Sequence, residues 1–333
     1  MSLDVDVDME YTRLGSTGLE VSRLCLGCMN FGTGAEWMLH DREASVALIR
    51  DAIDAGVNFL DTANVYSRGE SEEIVGEAIA EYDRDELVIA TKVFGEMGEG
   101  PNKQGLSRKH IYDQVHASLE RLGVDYVDLY QIHRWDDDTP IEETLDALNQ
   151  LVDEGLVRYL GASTMTGYQF TKALYTADAE GYRRFDCMQP EYNAVDRHEE
   201  ANLLPVCEGE DVGVIPWSPL AGGFLTGKYE RDVEPGEGLR AATDDYTQNR
   251  FTDENWTVLD EIRSIADERD ATPAQVSLAW LLHKDVVDAP IVGPRRESHL
   301  AENLEAVAVD LSDDDLARIE APITPQWPVP GKN

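Results

Sequence analysis

The sequence has few of the features that mark secreted, membrane-spanning or disulfide-stabilised proteins. No stretch approaches the roughly 18 consecutive apolar residues that a membrane span needs. The first twelve residues, MSLDVDVDMEYT, contain neither the basic nor the apolar segment of a signal peptide. Four cysteines in 333 residues are too few for a disulfide framework. We therefore expect a cytoplasmic protein that has no membrane contact.

Basic residues are also scarce. Lys and Arg number 28 against 66 Asp and Glu, which gives a net charge of −38. A field of that sign repels phosphate backbones and argues against nucleic acid as a partner. Two interpretations are open: the acidic residues form a solvated surface with no role in binding, or they are a general adaptation to high salt. Their spread along the whole chain favours adaptation, and the composition resembles that of cytoplasmic proteins of halophiles.

Short apolar runs rich in β-branched residues alternate with amphipathic segments along the chain, which contains 42% apolar residues. No linker or change in composition interrupts the alternation, so an open doubly wound sheet or two domains are less favoured. The pattern predicts one (β/α)8 TIM barrel spanning residues 1–333. The predicted strands are 23–29, 57–63, 86–92, 127–133, 157–163, 185–191, 213–219 and 289–294, and the predicted helical segments are 42–56, 71–82, 109–123, 141–155, 168–181, 199–210 and 272–285.

Two helix starts and two irregular segments complete the expected architecture. TPIE at 139–142 and TPAQ at 272–275 each read as a capping box with Pro at the first helical position. Residues 228–255 follow the seventh strand, are too polar for a core position, and are expected to form a mobile loop over the barrel mouth. Residues 323–333 are expected to form an extended surface tail anchored by Trp327.

Polar residues end most of the predicted strands. Chemistry in such barrels gathers at the carboxyl ends of the strands, so several convergent polar groups there predict a functional site. Taken singly, such residues are more often helix caps or solvated rim. In strand order, from the second, they are Asp61, Lys92, His133, Ser163, Gln189, Trp217 with Ser218, and Arg295 with Arg296.

Three of these strand-end residues, together with Tyr66, describe a general acid and its partners. Tyr66 follows Asp61 in the loop FLDTANVYSRGESE. A tyrosine has an ordinary pKa of about 10, so a catalytic tyrosine needs a nearby cation to lower it. Lys92 can supply that cation, Asp61 can keep it charged, and His133 can hydrogen-bond a substrate oxygen. Alternatively, Tyr66 is an ordinary aromatic residue covering the mouth.

The chain resembles the aldo-keto reductases over nearly its whole length, from YTRLGSTGLEVSRLCLGCMNFG to GPRRESHLAENL. The segments FLDTANVYSRGESEEIVGEAI, VIATK and DLYQIHR are the most specific matches. The similarity is strongest to the branch of aryl-alcohol dehydrogenases and potassium-channel β subunits. It implies reduction of a carbonyl with NADPH, with Tyr66 as proton donor. The alternative within this branch is a cofactor-bound regulatory or scaffolding subunit with slow turnover; a structural protein is disfavoured because all four residues are present.

The resemblance also implies a set of cofactor-binding residues. Ser163 and Gln189 would hold the nicotinamide carboxamide, and Trp217 would stack on the ring. Thr164 replaces an asparagine that is frequent in the family, and His299 replaces an Arg or Gln. The pyrophosphate would be held by Ser218, Leu220, Gly222 and Lys228, and the adenosine end by Arg295, Arg296, His299, Glu302 and Asn303.

The substrate and any metal are less defined by the sequence. Met29, Trp37, Phe94 and Trp135 follow the first, third and fourth strands, which predicts an aromatic or apolar carbonyl substrate. CLGC at 25–28 has the spacing of a zinc ligand pair, but it lies within a strand without a second pair nearby, so we expect no metal. Oligomeric state cannot be inferred from the sequence.

The charge surplus generates a testable prediction about stability. Unpaired carboxylates repel one another until ions screen them, and the Debye length falls from about 10 Å at 0.1 M salt to about 3 Å at 1 M. The melting temperature should therefore rise steeply between dilute buffer and molar potassium chloride, as followed by circular dichroism. A melting temperature that stays flat over this range would refute the salt-adapted interpretation.

Overall fold

The computed structural model describes residues 7–326 and contains eight parallel strands preceded by a hairpin. Seven of the eight lie within the predicted apolar runs, and β5 extends one residue beyond its run, to Val93, so the expected (β/α)8 architecture is confirmed. The hairpin was not predicted, although the turn residues Ser16, Thr17 and Gly18 separate its two strands. The strands are β1 Tyr11–Arg13, β2 Glu20–Ser22, β3 Cys25–Gly27, β4 Phe59–Asp61, β5 Val88–Val93, β6 Val127–Ile132, β7 Val157–Ser163, β8 Cys187–Gln189, β9 Gly213–Val214 and β10 Ile291–Val292.

The eight parallel strands pair in the order β10-β3-β4-β5-β6-β7-β8-β9. The outermost strands are then joined by backbone hydrogen bonds, from Asp288 N–H to Val214 O at 2.9 Å and from Ile291 N–H to Pro216 O at 2.9 Å. The sheet is thereby closed. Because all strands run in the same direction, their carboxyl ends open at one mouth.

Eleven helices connect or follow the strands in the described part of the chain. The sequence analysis did not separate α8 or predict α10 and α11, and the expected helix at 199–210 is reduced to the six residues of α6 after a 3₁₀ turn. The helices are α1 Arg42–Asp54, α2 Glu70–Ile79, α3 Arg108–Leu122, α4 Ile141–Asp153, α5 Gly167–Glu180, α6 Leu204–Gly209, α7 Asp245–Gln248, α8 Asp253–Arg269, α9 Pro273–Leu282, α10 Glu297–Leu304 and α11 Asp313–Glu320.

One of the two predicted capping boxes is present. Thr272 caps α9 with Gln275 as its reciprocal partner and Pro273 at the start of the helix. The box at 139–142 is wrong, because α4 is preceded by Pro140 without a side-chain cap. The Thr139 hydroxyl instead donates to Asp136 Oδ2 at 2.8 Å. A local hydrogen bond in the preceding loop has competed successfully with the cap.

The hairpin closes the end of the barrel opposite the mouth. Its Leu14 and Val21 are fully buried against the residues that fill the barrel interior. Gly15 has a φ of +53°, and a side chain there would collide with the backbone of Gly213. Asp288 Oδ2 accepts the Gly15 N–H at 2.9 Å, which fixes this turn to the barrel. Within residues 7–326, the base of the barrel is therefore covered by the hairpin.

The segment after β9 is more ordered and more buried than its composition suggests. It contains a 3₁₀ turn, Arg240–Ala242, and the helix α7. Tyr229 is 3% exposed and Ala241 is fully buried, so the expectation that this segment lies outside the core is wrong for these residues. Rings of Tyr229 and Phe251 pack with centroids 5.2 Å apart. Aromatic packing thus compensates for the high polarity of the segment.

Two expectations concern the ends and the surface of the chain. No helix in residues 7–326 is long and apolar enough to span a membrane. Trp327, the expected anchor of the C-terminal tail, lies outside the described residues. The last described helix, α11, contacts α8.

Candidate active site

The central feature of the mouth is Asp61, the last residue of β4. Its carboxylate is 2% exposed and forms an ion pair with Lys92 Nζ. Its second oxygen accepts hydrogen bonds from Gln131 Nε2 at 2.9 Å and Gln189 Nε2 at 3.0 Å. Gln189 Nε2 also lies 3.0 Å from Gln131 Oε1. The carboxylate is therefore held from three strands and cannot turn towards solvent.

Gln131 was missed by the sequence analysis because it lies inside an apolar run, at an inward-facing position two residues after Leu129. The neighbouring strand accommodates it with Gly161, where a Cβ atom would approach Gln131 Cγ to 2.7 Å. A polar residue at an inward position of a barrel strand was the available signal. Gln131 supports the site from below without reaching the surface.

Lys92 lies beside Asp61 in β5 and is completely buried. Besides Asp61, its ammonium donates to Thr62 O at 2.8 Å and to the Tyr66 hydroxyl at 3.1 Å. Burial alone would lower the pKa of Lys92, but the Asp61 charge outweighs it and raises the pKa above the ordinary lysine value. The side chain is therefore an ammonium ion at neutral pH.

Tyr66 starts a 3₁₀ turn in the loop after β4. Ser67 and Arg68 in this turn have φ values of +46° and +56°, and Gly69 reaches +99°. This left-handed run costs conformational energy and is typical of functional loops. It directs the Tyr66 hydroxyl to Lys92, and the ring meets the His133 ring edge-on with centroids 5.6 Å apart.

The pKa of Tyr66 differs from the sequence-based expectation. Burial raises it, and although Lys92 lowers it, Asp61 opposes that effect, so the net pKa is above 10. Lys92 alone therefore does not bring the pKa of Tyr66 towards neutrality. The phenol keeps its proton at pH 7, which is the state that a proton donor requires.

His133 directly follows β6, and its N–H continues the ladder to Val93 O at 2.9 Å. Burial, together with the charges of Lys92 and Arg134, lowers the pKa of His133 to about 3. The imidazole is thus neutral near pH 7. It can hydrogen-bond a substrate oxygen beside Tyr66 without competing as an acid.

The carboxyl ends of β7 and β9 bring further predicted residues to the mouth. Ser163 Oγ donates to Gln189 O at 2.8 Å and lies 3.1 Å from Thr164 Oγ1. Thr164 and Ser218 have φ values of +48° and +52°, again in the left-handed region. Trp217 Nε1 is buried without an acceptor in the described chain. An unpaired buried donor next to strained backbone is compatible with a ligand that is absent from the structure.

The turn after β9 brings the backbone close to its surroundings. Leu220 precedes a 3₁₀ turn, Ala221–Thr226, in which Gly222 and Gly223 have φ values of +67° and +92°. Side chains at these glycines would collide with Thr247 Oγ1 and Lys228 Nζ, respectively. This backbone can therefore approach a bound phosphate group closely, next to a lysine.

Basic residues gather beyond this turn, and we refer to Lys228, Arg240, Arg295 and Arg296 as the cation cluster. Arg240 pairs with Asp244 at 2.7 Å. The other three have no carboxylate within ion-pair distance in the described chain.

The pKa values report mutual repulsion within the cation cluster. Desolvation and the charges of Arg295, Arg240 and Arg296 lower the pKa of Lys228 to about 8. Burial and three of these cations lower the pKa of His299 to about 4. Glu302 partly counteracts the effect at Lys228, and Asn303 is 4% exposed beside it in α10. An anion bound here would relieve the repulsion.

The residues expected to line the substrate pocket divide into two groups. The Trp37 carbonyl accepts a hydrogen bond from Arg295, and its ring lies 4.4 Å from the Arg240 guanidinium, so Trp37 contacts the cation cluster. Phe94 lies beneath the Arg134 guanidinium at 5.7 Å, and Trp135 beneath Lys172 Nζ at 5.8 Å. Met29 is partly buried at the end of β3.

The segment after β9 is fastened to the loop after β8 at the mouth. Arg250 forms ion pairs with Glu191 and, at 2.6 Å, with Asp196. Tyr246 donates to Glu191, and its ring lies 6.0 Å from that of Trp217. These contacts hold the segment over the position where Trp217 faces the mouth.

The residues that could bind metal do not converge. No group of three His, Cys, Asp or Glu residues within 7–326 is arranged to hold a metal ion. Cys25 and Cys28 are free and fully buried, and burial raises the pKa of both thiols. They act as small apolar core residues.

Comparison with known proteins agrees with this geometry. The model of the aldo/keto reductase family matches residues 23–323. The chain belongs to the aldo/keto reductase family. A protein named as an aryl-alcohol dehydrogenase of Schizosaccharomyces pombe is 40% identical, with 95% of this chain and 96% of the relative covered. The versiconal hemiacetal acetate reductase of Aspergillus parasiticus is 37% identical, with 97% and 100% covered.

A third relative carries a different kind of name. A protein named as a voltage-gated potassium channel subunit beta of Arabidopsis thaliana is 42% identical, with 90% of this chain and 92% of the relative covered. The family and the reductase-named relatives support an oxidoreductase.

The Asp61–Lys92 pair leads to a prediction about stability. Asp61→Asn leaves a buried ammonium without its counter-charge, which should lower the free energy of unfolding by about 3 to 5 kcal/mol. Lys92→Met removes that ammonium. The double variant, Asp61→Asn with Lys92→Met, should therefore lose about 1 to 3 kcal/mol less free energy of unfolding than the two single variants lose in sum. Urea unfolding at constant high salt measures this coupling.

The matched control is Asp113→Asn, which removes a surface carboxylate paired with Lys109 at 2.9 Å. Its loss should stay below about 1 kcal/mol. Strictly additive losses for Asp61→Asn and Lys92→Met would contradict the coupling of the buried pair.

Proposed function

We propose that this protein reduces aldehydes or ketones to alcohols with NADPH, with Tyr66 as the general acid. The carrying observation is the chain of contacts from Asp61 through Lys92 to the Tyr66 hydroxyl, with a neutral His133 beside it. Each of the four residues has a chemical part that follows from its surroundings.

Bound NADPH supplies the hydride that adds to the carbonyl carbon. Tyr66 donates its phenolic proton to the carbonyl oxygen, which takes up the electron pair of the C=O bond and becomes the alcohol hydroxyl. The ammonium of Lys92, 3.1 Å from the phenol, stabilises the tyrosinate left behind. Asp61 keeps Lys92 protonated, and His133 orients the carbonyl oxygen towards the phenol.

The fit of the cofactor rests on the chemistry of the donors. Among residues 7–326, the buried Trp217 Nε1 has no acceptor, and Lys228, Arg295 and Arg296 have no carboxylate within ion-pair distance. Guanidinium groups make charge-assisted, bidentate contacts with phosphates. Ser163, Gln189 and Trp217 would hold the nicotinamide end, and the cation cluster the phosphates. The amide nitrogen of Gln189 is committed to Asp61 and Gln131, so its oxygen is the atom suited to a carboxamide.

A regulatory or scaffolding subunit is the second candidate, favoured by the similarity to a protein named as a channel subunit beta. Such a protein would keep the same cofactor site but turn over slowly. Steady-state reduction of a panel of aliphatic, aromatic and sugar aldehydes separates the two. Rapid turnover supports the enzyme, whereas cofactor binding without turnover favours the subunit.

Tyr66→Phe is the direct test of the general acid. The variant keeps the ring and its packing but removes the proton, so the rate of reduction should fall by about 10²- to 10⁴-fold, or roughly 3 to 5 kcal/mol of barrier. Cofactor affinity, measured by protein fluorescence, should hardly change. Tyr126→Phe, which removes a hydroxyl bonded to Asp85 far from the mouth, is the control. Near-normal turnover of Tyr66→Phe with intact fold and cofactor affinity would shift the assignment to the regulatory subunit.

Cofactor choice gives a second test. The kcat/KM with NADPH should exceed that with NADH, because only NADPH carries the 2′-phosphate that Arg295 and Arg296 can bind. Arg295→Ala or Arg296→Ala should lower the efficiency with NADPH by about tenfold or more and leave that with NADH within about twofold. Arg158→Ala, with its exposed side chain at the start of β7, is the control. Equal or better efficiency of the parent protein with NADH would exclude the NADPH assignment.

A further inference from the structure

Basic side chains without an acidic partner are concentrated at the mouth. Acidic residues outnumber basic ones by 66 to 28, so a shortage of carboxylates does not explain them. In residues 7–326, three basic side chains without a carboxylate within ion-pair distance belong to the cation cluster. Three more lie near the start of the chain or of β7: Arg13, Arg23 and Arg158. The remaining four, which we call the mouth cations, lie in the segments after β4, β5, β6 and β7, respectively: Arg68, Lys103, Arg134 and Lys172.

The four mouth cations are not among the residues proposed to bind the cofactor phosphates. Arg134 has the best-defined surroundings of the four. It directly follows His133, is exposed, and places its guanidinium 5.7 Å from the centre of the Phe94 ring. The charge of Arg134 also acts on the His133 imidazole. Arg134 therefore stands beside the residue that is to receive the carbonyl oxygen.

Phe94 joins Arg134 to the Tyr66 loop. The residue after it, Gly95, packs so closely on Val65 that a Cβ atom at Gly95 would lie 2.6 Å from the Val65 side chain. Val65 directly precedes Tyr66, and Phe94 O is held by the Gly105 N–H at 2.8 Å. The backbone of Phe94 is thus held next to the residue that precedes the proton donor, and its ring offers an apolar face to the Arg134 guanidinium.

The nearby acidic residues do not neutralise Arg134. The Asp136 carboxylate accepts hydrogen bonds from the Leu106 N–H at 2.7 Å, the Thr139 hydroxyl at 2.8 Å and the Asp138 N–H at 3.0 Å. Neither Asp137 nor Asp138 comes within ion-pair distance of Arg134 in the described chain. The guanidinium keeps its donors available for a ligand.

We propose that Arg134 is a specificity-determining residue that binds an anionic group of the substrate, so that the preferred substrates are aldehydes or ketones with a carboxylate or phosphate group. This inference rests on the proposed reductase function. The −38 charge of the protein repels such molecules at long range, and a local cation at the mouth offsets that repulsion for a substrate bound there. Phe94 and Trp135 provide the apolar surface for the part of the substrate between its two polar ends.

The test compares aldehydes that carry an anionic group with neutral aldehydes of the same aromatic framework. One pair is 4-formylbenzoate and its methyl ester; the second, which separates phosphate from carboxylate, is 4-formylphenyl phosphate and 4-methoxybenzaldehyde. Assays at about 1 M potassium chloride reduce the Debye length to about 3 Å and leave mainly direct contacts. The KM for the preferred anion should be about 5- to 10-fold below that of its neutral partner.

Three variants assign the effect to Arg134. Arg134→Met should remove the KM difference by raising the KM for the anion about 5- to 10-fold, with little change in the KM for the neutral aldehyde or in kcat for either. Arg134→Lys keeps the charge and should lose less, because a lysine cannot form the bidentate contact. Arg13→Met changes the protein charge equally at the hairpin and should alter neither KM.

Each outcome separates the two proposals. Reduction of none of the four aldehydes would overturn the reductase assignment itself. If the anionic and the neutral aldehyde of each pair are reduced with equal KM, the proposed role of Arg134 is overturned and the reductase assignment stays intact. The same holds if Arg134→Met changes the KM of the anionic and the neutral aldehyde equally. If Arg134→Met fails to fold, the comparison of the parent protein with Arg134→Lys on the same pairs carries the test.

Discussion

The buried ion pair between Asp61 and Lys92 is the interaction on which the site depends. An ion pair at 2% and 0% exposure carries a large desolvation penalty, which its Coulomb attraction offsets only if the remaining hydrogen bonds are satisfied. Gln131 and Gln189 satisfy the carboxylate, and Thr62 O and Tyr66 satisfy the ammonium. The polar interior of the mouth is thus organised around this ion pair. Replacing both of its residues with apolar ones would remove the desolvation penalty.

The barrel determines how these residues meet. Asp61 is in register with Ala90 of the neighbouring parallel strand, and Lys92 lies two residues further along that strand, where its ammonium reaches Asp61. The turn after β4, which contains left-handed residues, brings the Tyr66 hydroxyl to Lys92. In the described part of the chain, the hairpin covers the opposite end by packing on the residues that fill the barrel interior. The protein is strongly acidic, but cations such as Arg134, Arg295 and Arg296 lie at the mouth without a carboxylate within ion-pair distance in residues 7–326. The mouth is therefore suited to anions, unlike the rest of the surface.

Much of this organisation was predictable from the sequence, because it depends on periodicity and on residues at strand ends. The eight strands, the cap at Thr272 and the grouping of Asp61, Lys92 and His133 follow from local rules. The missed or wrong features depend on tertiary contacts. Gln131 is hidden inside an apolar run, and the contacts of Trp37 with Arg295 and Arg240 depend on segments far apart in the sequence.

The remaining discrepancies have the same origin. Thr139 bonds to Asp136 instead of capping α4, and aromatic packing buries part of the segment after β9. The direction of the Tyr66 pKa could not be inferred, because it is a balance between burial, Lys92 and Asp61 that requires their positions in space. Sequence patterns indicate which charged residues lie close together. The pKa that results also depends on how deeply each group is buried.

The charge state of Lys92 tests this account most directly. The chain has only seven lysines, so the ¹⁵N-labelled side chains should give few NMR signals, and Lys92→Met identifies the one of interest. We predict that the Lys92 signal remains that of an ammonium ion up to pH 11, at pH values where surface lysines with a pKa near 10.4 have titrated. Loss of the Lys92 proton below pH 9 in the folded protein would contradict the account.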